Sequence, residues 1–93
     1  MAAGDVISSI NSLTNASSLV IQPAAGVEWV IHNIHHAKEC ALTLTNGTLV
    51  GTMALFNGYN IETNLQLHLT NSVYLSLSTN SAQIVGYDGV VTK

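Results

Sequence analysis

Charge is what this chain has least of. It contains two lysines, no arginine and five acids, so charged residues make up 8% of the sequence, about a third of the usual share. Without a basic surface there is nothing to neutralise a phosphate backbone, which argues against nucleic-acid binding. Cysteine is nearly absent too. Cys40 stands alone, so an intrachain disulfide is excluded, and a small buried apolar filler is the expected role. No apolar run approaches the 18 residues of a membrane-spanning helix. The opening Met-Ala-Ala-Gly-Asp lacks the basic and apolar blocks of a secretory signal, so synthesis in a reducing cytoplasm is expected. Gly-rich phosphate loops and a Gly-x-Ser-x-Gly elbow are also missing. The reading is therefore of a non-enzyme, with no catalytic, cofactor-binding or metal residues assigned and no cofactor.

What replaces charge is neutral polarity. Asn, Ser and Thr occur nine times each beside 47% hydrophobic residues. Such a surface forms hydrogen bonds but provides little electrostatic repulsion between copies. In a chain of 93 residues, a single thin-cored domain, this implies that other subunits cover much of the surface.

Residues 1–17 form one unit of the reading. Val6, Ile7, Ile10 and Leu13 follow helical spacing behind Asp5, whereas the Ser, Thr and Asn between them are poor helix formers. Both a short helix and an extended arm that orders on a neighbour are consistent with this segment. Residues 18–93 read as a single β domain. Ser18–Gln22 is a strand, Pro23-Ala24-Ala25-Gly26 a turn and Val27–Ala37 a long strand. In the latter, alternation places Val27, Trp29 and Ile31 on one face, with Val30 and Ile34 on the other. After a corner at Ala37-Lys38-Glu39, Cys40–Thr45 alternates with Leu42 and Leu44 inward. Asn46-Gly47 predicts a type I′ hairpin returning into Thr48–Phe56, and Asn57-Gly58-Tyr59-Asn60 turns again. Leu65, Leu67 and Leu69 share a face, as do Val73, Leu75 and Leu77. Asn80-Ser81 leads into Ala82–Tyr87, and Asp88-Gly89 predicts a turn before the tail Val90–Lys93. Turns every 8–14 residues between alternating strands predict an all-β fold. The expected architecture is an antiparallel β-sandwich or jelly-roll-like barrel of about 6–8 short strands.

Three histidines, His32, His35 and His36, cluster in the long strand, with His68 elsewhere. In regular strand geometry His32 and His36 share a face about 13 Å apart and His35 points the other way, so chelation of one metal is disfavoured against a role as polar interface partners. Cys40 lies two residues after Lys38 but has no recognisable catalytic context. Trp29, Tyr59, Tyr74 and Tyr87 suit either core anchoring or a sugar platform. Asn15-Ala-Ser17 and Asn46-Gly-Thr48 match the glycosylation pattern, as expected by chance in so Asn-rich a chain.

The stretch Ile21-Gln-Pro-Ala-Ala-Gly-Val-Glu-Trp-Val-Ile-His-Asn-Ile resembles the opening of small β-rich virion proteins of tailed bacteriophages. Leu69-Thr-Asn-Ser-Val-Tyr-Leu and Ile84-Val-Gly-Tyr-Asp-Gly-Val resemble their closing strands. The resemblance covers residues 18–93 and rests on turn-and-strand patterns. It implies a capsid cement or decoration protein on the virion surface, a homotrimer bound between major capsid protein subunits. The alternative is a tail-fibre or spike adhesion domain holding a host glycan.

Overall fold

A computed structural model describes residues 2–14, 17–36, 38–56, 58, 60–80 and 82–93. Nine strands appear among them: β1 (Val6–Leu13), β2 (Ser18–Ile21), β3 (Trp29–His36), β4 (Cys40–Thr45), β5 (Val50–Phe56), β6 (Asn60–Glu62), β7 (Leu67–Leu69), β8 (Tyr74–Thr79) and β9 (Gln83–Val91). They form two antiparallel sheets. One runs β1-β9-β3-β6, with β7 also on β3; the other runs β2-β8-β4-β5. Ile7, Leu13, Trp29, Ile31, Ile34, Leu69, Val85 and Val91 of the first sheet meet Ile21, Cys40, Leu42, Leu75 and Leu77 of the second in one apolar cluster. This is the all-β sandwich expected from the alternation.

The short helix proposed for the first 17 residues is not found among the described residues. Val6–Leu13 is instead a strand paired over its whole length with β9. Ile7 and Leu13 enter the core while Val6 and Ile10 face out, a period-2 division in place of a helical stripe. Local helix propensity in a Ser- and Asn-rich segment was weak, and eight residues of ladder outweigh it.

Asp88-Gly89 does not turn. β9 passes straight through it, with Asp88 paired to Ser8 and Asn33, and Gly89 to Ile7 and Ile31. Glycine is needed there because a Cβ would run into the Val30 carbonyl. The signal that suggests a turn thus marks a close approach of backbones at the sheet centre.

Asn46-Gly47 does not form a two-residue type I′ turn either. β5 starts at Val50, and Asn46 Oδ1 accepts hydrogen bonds from Thr48 N (2.9 Å) and Leu49 N (2.7 Å). Only Gly47 of the pair has positive φ, at 92°. The Asn side chain here closes its own backbone turn. At the other early break, Val27 N–H donates to the Ala24 carbonyl (3.0 Å) around Gly26, whose φ of 80° meets the demand of a type II turn. Leu44 and Val73, expected inside, are 38% and 40% exposed, beside Asn46 and Leu49 of the β4–β5 loop. The other leucines of β4, β7 and β8 face inward as the alternation requires.

The long strand breaks its own alternation. Ile31 pairs with Gly89 and Asn33 with Asp88, so β3 carries a bulge at His32. One added residue reverses the parity of everything after it. Trp29 and Ile31 point inward before the bulge, Ile34 and His36 after it. Ile34 therefore shares the core face of Trp29 and Ile31, where regular alternation sets it on the opposite one.

Candidate interaction face

Because cross-strand partners share a face, the pairing register lays out the exposed surface of the first sheet. One row crosses four strands as Ile10, Gly86, His35 and Ile61. The next reads Ser8, Asp88 and Asn33. Gly86 has no side chain between Ile10 and His35, and this leaves a shallow depression of about 390 Å³ bordered by Ile10, His35, Ile61 and the Asn33–Asp88 pair. Asn33 Nδ2 donates to Asp88 Oδ1 at 2.7 Å, which orients both side chains on its rim. Val6, Ile10, Ile61 and Ile84 are all more than half exposed on this face.

The second sheet differs in chemistry. Ser18, Ser78 and Ala41 form one outward row, Val20, Ser76, Thr43 and Thr52 the next, and Tyr74, Thr45 and Val50 a third. None of its four strands, nor the Asn46–Leu49 loop, carries a charged residue. Leu49, Val50 and Leu55 stand exposed along it. Asp5, Glu28, Lys38, Glu39, Glu62, Asp88 and Lys93 thus all lie in the first sheet or outside the strands.

The histidines are separated by the bulge, not gathered by it. At the bulge, His32 Nδ1–H donates to the Leu65 carbonyl (3.2 Å) while Leu65 N–H donates to the His32 carbonyl (2.9 Å). This paired contact bridges the gap between β6 and β7 on the same edge of β3. His36 turns inward, 3% exposed, and its Nε2 lies 3.2 Å from Glu62 Oε1. His35 faces out beside the depression, and His68 is exposed on β7. Strand geometry alone placed His32 and His36 on one face; the bulge overturns that. Among the described residues no three His, Cys, Asp or Glu side chains converge as metal ligands. Cys40 is 2% exposed in the core cluster, as a small apolar filler would be.

Of the four aromatic candidates for a sugar platform, Tyr59 lies outside the described residues, as does Asn15 of the first glycosylation match. Trp29 is buried in the core, with its Nε1 unpaired among the described residues and its ring 6.4 Å from that of Tyr87. Tyr87 is half-buried, and burial pushes its hydroxyl above the ordinary tyrosine range, partly offset by a hydrogen bond with Ser9. Tyr74 belongs to the other sheet, so these rings do not make one platform. The feature that sequence reasoning missed is the row through Gly86. It becomes visible only when four strands are placed in register.

No protein-family model matches the chain, and no curated protein matches it significantly in sequence.

Proposed function

We propose that this chain is a structural virion protein that works by surface burial, and specifically a capsid cement or decoration protein binding between major capsid protein subunits. The observation that supports the reading is the distribution of exposed apolar and neutral polar side chains. One sheet presents Val6, Ile10, Ile61 and Ile84, and the other presents an uncharged field of Ser, Thr, Val and Leu. Such surfaces lose little by desolvation when they meet protein, since few charges must be stripped of water. At about 25 cal/mol per Å² of apolar area, each contact is modest, and a shell repeats it at every copy. The tailed-phage identity of that shell, and the trimer, come from the resemblance of residues 18–93.

Quantifying the protein bands of purified particles tests this. A decoration protein is present in copies comparable to the shell protein, and particles lacking it lose their contents at lower temperature. A chain present in few copies, whose loss abolishes adsorption but leaves heads sound, belongs to the adhesion class and sinks the proposal.

A further inference from the structure

β1 ends its sheet, and its eight residues pair with β9 without a register shift. Val91 N–H donates to the Asp5 carbonyl at 2.8 Å. Antiparallel ladders alternate, so odd-numbered residues of β1 direct their main-chain groups at β9. Val6, Ser8, Ile10 and Ser12 direct theirs toward the open edge. Edge strands are normally blunted by lysine, proline, an inward charge or a bulge, and β1 has none of these. Its residue pattern is also nearly symmetric about Ile10: Ser9 mirrors Asn11, Ser8 mirrors Ser12 and Ile7 mirrors Leu13.

We infer that β1 pairs antiparallel with β1 of a second copy about a twofold axis through Ile10, joining the two first sheets into one continuous sheet. In this register Ile10 meets Ile10 of the second copy on the outer face, beside Ser8 against Ser12. On the inner face Ser9 meets Asn11, and Ile7 meets Leu13 where the two cores adjoin. The residues that bond across the axis, Ser8, Ile10 and Ser12, are the ones whose main-chain groups face the edge. A slip by two residues sets Ile10 against a serine and Ile7 against Asn11. A slip by one sets outer side chains against inner ones, so the pattern selects a single register. The charge nearest the axis is Asp88, beside Ser8 on β9; it ends up about 20 Å from Asp88 of the second copy, at about 3.3 Å per residue and about 4.8 Å per strand, still beyond a Debye length. A second copy is the occupant because the pattern is self-complementary, as an isologous contact requires.

The inference rests on the self-association within the reading above, and gives it a twofold where the resemblance implies a threefold. Sedimentation velocity of the purified chain tests it separately from any particle experiment. The wild type is expected at about twice the 9.8 kDa of one chain. Ile10→Lys sets two ammonium groups face to face on the axis, and Ser8→Pro removes an edge-facing N–H while sparing the β9 ladder. Both should sediment as single chains with unchanged far-UV circular dichroism, whereas Ile84→Lys, on the same face but one strand in, should remain paired. A wild type of one or three chains overturns the inference. So does a dimer that survives both β1 substitutions, or one that only Ile84→Lys dissociates. Particle copy number stays a separate readout, so a monomeric chain abundant on heads would refute the pairing and leave the virion role standing.

Discussion

His36 lies flat against Phe56, with ring centroids 3.7 Å apart and planes 7° from parallel. The contact joins the two sheets, β3 from one and β5 from the other. It exists because the bulge at His32 turns His36 inward, where its Nε2 also reaches Glu62. A histidine that the sequence offers as a ligand is thereby a piece of core.

His36→Ala should destabilise the fold by about 2–3 kcal/mol, from the lost packing of a ring that is only 3% exposed. In a double-mutant cycle with Phe56→Ala, the two should couple by about 0.5–1.5 kcal/mol, as stacked rings do. Urea denaturation of the four proteins measures both quantities. Additive effects would mean that the stack contributes no pairwise energy.

Gly89→Ala should cost about 3 kcal/mol, at the severe end of overpacking, because its Cβ meets the Val30 carbonyl in mid-sheet where neither strand can withdraw. Gly58→Ala, whose Cβ would meet nothing within 4 Å, is the control and should stay within about 0.5 kcal/mol of wild type. Thermal unfolding midpoints of the two variants separate the close approach from a general loss of glycine flexibility.

Glu39 holds a φ of 60° at the exposed corner between β3 and β4. That conformation costs a non-glycine residue about 1–2 kcal/mol. Glu39→Gly should therefore raise stability by about 0.5–1 kcal/mol after the added freedom of the unfolded chain is counted. A lower denaturation midpoint would show that the Glu39 side chain contributes more than its backbone strain takes away.

Tyr87 makes stability depend on alkaline pH. Burial raises its pKa above 10.0 in the folded state, with the Ser9 hydrogen bond acting the other way. The folded protein thus holds the phenolic proton more tightly than the unfolded chain. Its contribution is complete below the unfolded pKa and is lost as pH rises through the folded one. Urea midpoints measured from pH 9 to 11 should fall above pH 10, and less steeply in Tyr87→Phe. An identical fall in both proteins would assign the effect to other groups.

The sequence by itself determined the class of fold. Period-2 alternation in β4, β7 and β8 leaves Leu42, Leu69, Leu75 and Leu77 a single way to share a core, and turn residues between short runs exclude long helices. It also determined the uncharged surface, because composition needs no coordinates. Only the tertiary structure decided the rest. Whether Val6–Leu13 coils or extends depends on β9, seventy residues away, whose ladder local propensity cannot register. Whether Asp88-Gly89 turns depends on being flanked by β1 and β3 at once. The direction of Ile34 and His36 depends on one bulged residue, and a strand pattern of period two carries no warning of a reversed parity. The interaction face is the clearest case. Ile10, His35, Ile61 and Gly86 lie far apart in sequence, and only the register of four strands sets them in one row.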